Sequence, residues 1–591
     1  MVQLYISDKP VVIPESVSFT FMLENPYFTK NSNSSMNIEL PLKDCPVNQR
    51  IFGHLHRLWS KKEKKVFPAT LIDGITVFLR GSAIVNEITD TYVKVQLVSG
   101  NSEFNFLTNK DYYIDDIDLG SAEFPGYDIF LEWLSGIDEK NRFFGVVGSS
   151  DFVWAPVKCE DKIFNSVVWG FSDEEFHPNP YKNIKCVQPY LIYVIRKIVE
   201  YFGYKFDSSY LDNSFLSNVY ICSAAQTLKI AYSLPHWTVS DFFDEIERFF
   251  LVVTVVDEIN KTLSLIPLND FYDDNNVVVI PSEDVLQEYS VNITRKNDKD
   301  LSTSNVGFAL PSISDDGFLR LDRDLFAEAN KYYASSYEDM LAKWDSLKSS
   351  DKVKSYIFIN MNRFYIDYQK NDKRGLLEVN LYSDLIRDNT NTDKTELKIV
   401  PAKIVQHNFG RYRHKISAIT GEAPDADLYL NVPVVSMSVD LGRNEYINIQ
   451  EILDGKSNVE SKRPRKDIME VAFCTGVHPV SVQGAQGPYE QNYIIPYTDY
   501  RQMVSGQLGT QDNFSLSLNN VITRSLGRQF LNLVITDTSV AYNIKFKADI
   551  IPDAKKVFII SNQKYHCEKL EVKVDKDGFS KIVEGVFYRV E

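Results

Sequence analysis

Two histidines two positions apart, His54 and His56, are the first residues in the chain whose types could hold a metal ion. Around them Ile51, Phe52, Leu55 and Leu58 recur at helical spacing, which predicts a short helix over Asn48–Trp59. Residues two apart on a helix diverge by about 200°, so the pattern argues for packed or surface histidines. His566-Cys567 has the composition of an imidazole–thiol pair. Neighbours on a strand face opposite sides of the sheet, which separates a nucleophile from its base. Asp115, Asp116 and Asp118 offer carboxylates for calcium, without the glycine and closing glutamate of a calcium loop. Glu174-Glu175 and Asp273-Asp274 resemble glycosidase carboxylates, but a chain with 80 acidic residues contains such pairs by chance. No GxSxG, HExxH, Walker-type or dinucleotide glycine pattern occurs. The residues predict no catalytic set, no cofactor and no metal site.

The most unusual stretch in charge is Asp111–Glu139. It holds Asp111, Asp115, Asp116, Asp118, Glu123, Asp128, Glu132, Asp138 and Glu139, with no Lys or Arg among them. Packed together in a dry core these like charges would be costly, so the expectation is that they are solvated. Two placements satisfy that: an outer loop between domains, or the wall of a water-filled channel. Asp111, Asp115, Asp116, Asp118, Glu123 and Asp128 are the candidate rim or channel residues.

The formal charge of the whole chain is −16, from 64 basic and 80 acidic side chains. Tight wrapping of nucleic acid needs Lys and Arg to replace counterions, so that function is excluded. Such a surface keeps a large protein soluble, and it also suits one that DNA slides past. The basic run Lys456–Lys466 has no interleaved aromatics and reads as a solvated loop. Six scattered cysteines without a CxxC pair fit synthesis in a reducing cytosol. Met1–Pro10 shows no signal-peptide pattern, and the longest apolar run, Phe249–Val256, is too short to span a bilayer.

The element around which the chain is organised is Pro235–Tyr272. Thr238 can cap a helix in which Val239, Phe242, Phe243, Ile246 and Phe249 form one apolar stripe, with Asp244, Glu245 and Glu247 turned to water. Leu251–Val256 and Thr262–Leu268 then read as a hairpin. A second helix, Pro189–Phe202, is ended by Gly203. Before these, Ser16–Leu23 and Tyr92–Val98 alternate as half-buried strands, and Asp73-Gly74 turns a hairpin. Near the end, Val557–Ile560, Tyr565–Val574 and Ser580–Tyr588 form a meander turned at Asp577-Gly578.

At 591 residues the chain exceeds one core. The predicted fold class is mainly β with α+β modules: a multidomain chain of antiparallel β-barrel or sandwich domains plus a helix–hairpin α/β domain. The divisions fall at 1–110, a barrel-like N-terminal domain; 111–186, an acidic linker and β-rich segment; and 187–288, the helix–hairpin domain. They continue with 289–460, a second β domain with a long helix over 322–347, and 461–591, a C-terminal β domain.

Three places carry a resemblance. Leu23-Glu24-Asn25-Pro26-Tyr27, Leu40-Pro41-Leu42 and Asn48–Gly53 resemble the start of tail-hub or tail-tip proteins from tailed phages and prophages of Bacteroides-type bacteria. The Phe-rich helix, with its strand ending in Pro267–Tyr272, is similar to a helix–hairpin unit of the same proteins. Lys564–Lys569 and Gly585–Arg589 look like their C-terminal ending. The resemblance implies a virion structural protein, made in the host cytoplasm. It would form a trimeric or hexameric ring that continues the tail tube and joins other tail or baseplate proteins. DNA would only pass through it, and there would be no membrane insertion. Many such proteins fuse a cell-wall hydrolase, and no such module is visible here. The competing reading is a receptor- or carbohydrate-binding tail adhesin without enzymatic activity.

Overall fold

The computed structural model describes residues 2–60, 66–108, 112–122, 151–159, 162–165, 186–212, 214–225, 227–272, 276–293, 305–309, 329–360, 363–370, 373–379, 394–408, 429–435, 468–474, 477–484, 487–494, 496–498, 514–518 and 524–590. The chain is mostly β, 46% strand against 21% helix, in several antiparallel, sandwich-like sheets, with no closed barrel among the described residues.

Among the described residues the largest sheet has 14 strands, taken mostly from the two ends of the chain, with Val277–Ile280, Val557–Ile560 and Ile38–Pro41 paired off its main path. From one edge it runs Val285–Asn292, Ala541–Lys547, Gly578–Arg589 and Gln563–Asp575. It continues with Phe19–Glu24, Asn33–Ser35, Tyr92–Val98, Thr76–Ile88, Val66–Asp73, Val2–Ile6 and Lys9–Pro10. The alternating residues do what their period predicts: Phe19 and Phe21, then Val93, Val95 and Leu97, are buried in one core with Leu4, Leu71 and Leu79. The hairpin of Val66–Asp73 and Thr76–Ile88 turns at Asp73-Gly74, with Gly74 at φ +60 as such a turn requires. A second core lies under the C-terminal strands and contains Phe546, Phe558, Leu570, Val572, Val583 and Phe587. The 13-residue strand Gln563–Asp575 serves both, with Val574 in the first core and Cys567, Leu570 and Val572 in the second.

The helix–hairpin unit forms as expected. Thr238 Oγ1 accepts from the Asp241 N–H at 3.0 Å and caps the helix Val239–Phe250, a contact worth about 1 kcal/mol. Val252–Asp257 pairs antiparallel with Thr262–Pro267, and Lys205–Asp207 adds a parallel strand on the far side. The helix Leu191–Tyr201 precedes it and ends before Gly203 at φ +81. A helix from the N-terminal part, Gly100–Thr108, locks onto this unit. Phe104 meets Phe243 edge-to-face at 5.4 Å. The Asn101 amide donates to the Thr254 carbonyl at 2.7 Å and accepts from the Val256 N–H at 2.9 Å, continuing the strand edge as a neighbouring backbone would.

Several expectations are corrected. The helix over Asn48–Trp59 is confined to Pro46–Ile51, because Gly53 and His54 both take positive φ and turn the chain out of it. Among the described residues of the long helix expected over 322–347, Tyr337–Leu347 is helical. Asn330–Ala334 is instead a strand, parallel to Tyr356–Asn360. Ser336 stops one element and starts the other: its side chain accepts from the Asp339 N–H at 3.1 Å, an N-cap that fixes where the helix can begin. Residues 322–328 and the basic run Lys456–Lys466 lie outside the described residues.

Candidate functional site

Four of the six segments singled out for resemblance meet at the turn following Phe19–Glu24, while Leu40–Leu42 and Asn48–Gly53 meet each other elsewhere, the Asn48 amide donating to the Pro41 carbonyl. Asn25 caps the short helix Pro26–Thr29 by accepting from the Tyr27 N–H at 3.1 Å, and Pro26 suits the first helical position because its missing N–H would have had no partner. The cap orients the Asn25 amide inward, where the residue is fully buried. Its Nδ2 donates to the Cys567 carbonyl and to the Tyr272 phenol oxygen, each at 2.8 Å, and lies 3.2 Å from the Ala554 carbonyl. The Asn25 N–H donates to the Glu568 carbonyl at 2.8 Å.

Aromatic rings surround this amide. Tyr27 packs on Phe271 and Tyr272 at 5.4 and 5.3 Å, and Phe28 packs on Tyr588 at 5.0 Å. Tyr272 stacks on the His566 ring at 3.5 Å, and His566 Nδ1 lies 2.6 Å from the Thr536 hydroxyl. Tyr588 donates its hydroxyl hydrogen to Glu568. Burial pushes the Tyr272 phenol well above its ordinary pKa and raises Glu24, the latter partly offset by Lys569.

The other end of the turn grips the helix–hairpin unit. Lys30, in the left-handed conformation that ends Pro26–Thr29, pairs with Asp244 and with Glu247 at 3.2 Å. Burial works against its charge, but Glu247 and Asp244 outweigh that and raise its pKa. The expectation that Asp244, Glu245 and Glu247 face water is therefore corrected. Glu245 is buried, accepting from Arg248 at 3.0 Å and from the Lys398 N–H at 2.8 Å, because its side of the helix faces another strand. The turn Asn25–Lys30 thus pins three distant segments together, with hydrogen bonds on one side and an ion pair on the other.

The acidic stretch is folded where it is described. Residues 112–122 lie along the helix–hairpin unit: the Ile114 N–H donates to Trp237 at 2.9 Å, and Ile114, Ile117, Leu119 and Ala122 join its core. Asp116 and Asp118 are exposed, as expected. Asp115 is not. It is 4% exposed, with both carboxylate oxygens 3.0 Å from His236 Nδ1, and His236 stacks on Tyr113 at 3.9 Å. Burial raises its pKa, partly countered by His236. A single carboxyl with one partner tolerates a core that a cluster would not, which is why the rule for the whole stretch fails at this residue. Asp111, Glu123 and Asp128 lie outside the described residues.

Of the other sequence candidates, His54 and His56 are not on one helix, and their rings stand 5.9 Å apart. No group of three potential metal ligands is found among the described residues. His566 and Cys567 do face opposite sides: the Cys567 side chain is in the core, where burial holds its thiol well above the usual range. The sequence marks Asn25 and Tyr272 only as members of resembling segments, without a role, and does not mark Lys30 or His236. For Asn25 a signal existed, since Asn followed by Pro marks a helix start.

No family model matches the chain, and no curated protein sequence matches it. Among solved structures it is similar to the 43 kDa tail protein of prophage MuSo2 from Shewanella oneidensis. The identity is 6% and the TM-score 0.30, over 100% of this chain and 97% of that one. It is also similar to a tail protein from Neisseria meningitidis MC58, at 7% identity and a TM-score of 0.28, over 99% of this chain and 95% of that one. At these TM-scores neither alignment assigns a role to this chain. No helix among the described residues is long and apolar enough to cross a membrane.

Proposed function

We propose that this chain is a structural component of a phage tail, acting at the hub or tip. Copies assemble into a ring that continues the tail tube and joins other tail or baseplate proteins, and DNA meets the ring only in passing. One observation supports this reading most: four of the six segments that resemble tail-hub proteins meet at the turn Asn25–Lys30, Pro267–Tyr272 and Lys564–Lys569 through the Asn25 amide and Gly585–Arg589 through Tyr588 against Phe28. Residues so distant in sequence that meet in one buried joint serve to hold sheets in a fixed relation. A tail part needs such rigidity, because its work is to keep its shape under load. On this reading the chain binds its neighbours and itself and catalyses nothing.

The test is electron microscopy of the purified full-length protein, together with mass spectrometry of purified virions. Rings with a central hole, and the chain present in stoichiometric amounts in the particle, are the expected results. Absence from the particle, or hydrolysis of cell-wall glycan by the pure protein, would overturn the proposal.

A further inference from the structure

On a regular helix the side chains of His54 and His56 would diverge, but the helix Pro46–Ile51 stops short of both. Gly53 and His54 take φ +58 and +57 in succession. This left-handed pair folds the chain back, and the two imidazole rings stand 5.9 Å apart, tilted by 52° rather than stacked. Hydrogen bonds hold the turn. The His54 N–H donates to the Gln49 carbonyl at 2.8 Å, and the His54 carbonyl accepts from the Arg57 N–H at 3.0 Å. Leu55, between the histidines, is buried in one core with Ile51 and Phe52. The two rings on either side of it are half-buried.

One ring nitrogen is left over. His54 Nδ1 is shielded from solvent and makes no hydrogen bond among the described residues. A shielded imidazole nitrogen without a partner costs free energy, so such an atom points to a group that binds it. His56 Nδ1, on the neighbouring ring, is shielded from solvent as well. Imidazole nitrogens suit zinc, nickel or copper, whereas calcium and magnesium take oxygen donors. An imidazole nitrogen stands about 2.0–2.1 Å from zinc, so two rings on one tetrahedral ion have centroids roughly 5 Å apart. The 5.9 Å between these rings is within a side-chain rotation of that spacing.

We propose that His54 and His56 chelate one divalent transition-metal ion per chain, with water at its remaining positions. The ion satisfies His54 Nδ1 and clips the turn that follows Pro46–Ile51. Two protein ligands bind more weakly than the four of a structural zinc site, and they leave the ion open to solvent. Such a site needs no third ligand, in keeping with the absence of any group of three among the described residues. The backbone that brings the rings together is set by its own hydrogen bonds and by Leu55, so it is in place before the ion arrives.

Full-length protein, stripped with EDTA and titrated with zinc chloride in a calorimeter, tests this. One ion per chain should bind. His54→Gln and His56→Gln should each weaken binding about tenfold or more, at least what removing an outer-shell partner of a metal costs. Neither ring is in the core, so both variants should fold, and urea midpoints without metal check that. His478→Gln, on the separate strand Val477–Gly484, should bind as the unaltered protein does. With cupric ion in place of zinc, electron spin echo modulation should report two coordinated imidazoles in the unaltered protein and one in each variant. Zinc should also raise the melting temperature of the unaltered protein and of neither variant. No saturable binding, equal binding by both variants, equal loss in His478→Gln, or one ion shared between two chains would overturn the proposal.

Discussion

Asn25 and Cys567, 542 positions apart in sequence, are joined by a buried hydrogen bond of 2.8 Å from the Asn25 amide to the Cys567 carbonyl. That bond ties the strand Phe19–Glu24 to its antiparallel partner Gln563–Asp575 at the point where their ladder ends. The same amide reaches Tyr272, so the N-terminal, central and C-terminal segments depend on one side chain.

Asn25→Ala should therefore destabilise more than loss of an ordinary cap. It leaves the Cys567 and Ala554 carbonyls without this donor and removes the cap on Tyr27. At about 1 kcal/mol per contact the cost is about 2–4 kcal/mol. Urea unfolding measures it. In a double-mutant cycle with Tyr272→Phe, the coupling should be about 0.5 kcal/mol or more. A loss below about 0.5 kcal/mol for Asn25→Ala alone would show that the joint is not a support.

Asp115 should give a pH signature. Burial raises the Asp115 pKa, so the folded state holds this proton more tightly than the unfolded chain. Its contribution to stability then falls as pH rises from the ordinary carboxylate value through the raised one. Asp115→Asn should accordingly gain on the unaltered protein as pH rises through that window, in urea midpoints measured side by side. A gap that stays flat or moves the other way would sink the assignment.

Lys30 lies between Asp244 and Glu247. Lys30→Met removes the cation and leaves two carboxylates facing each other, at a cost of about 1–2 kcal/mol that added salt should reduce. Because the folded pKa of Lys30 is raised, its contribution should be complete at neutral pH and lost only as pH rises through that raised value. A thermal scan of both proteins at two salt concentrations gives the answer. Equal melting points at low salt would count against the ion pair.

The acidic stretch can be placed by substitutions that spare the core. Asp116→Lys/Asp118→Lys changes exposed residues and should leave stability within about 0.5 kcal/mol. Asp115→Lys would set a buried cation beside His236 and disturb folding for reasons unrelated to DNA. If the stretch lines a channel, virions carrying the double change should assemble normally and eject DNA slowly, with salt restoring the rate. Normal ejection at low ionic strength would put it on the outer surface.

The sequence by itself determined the parts whose physics is local. Alternation of Phe19 and Phe21 marked a half-buried strand, Asp73-Gly74 a hairpin turn, and Thr238 the start of a helix; each depends on residues a few positions away. It also marked which residues prefer burial, but not what they would be buried against. Only the tertiary structure decided that strands from the two ends of the chain share one sheet. Periodicity names the inward face, and any strand with a matching face could be its neighbour. The Asn25 joint was hidden for a related reason: two of its three acceptors are backbone carbonyls, which every residue type possesses. Asp115 and Glu245 went to the interior, although their types predicted water, because each found a specific partner there. A composition rule averages over such partners, and only three-dimensional proximity creates them.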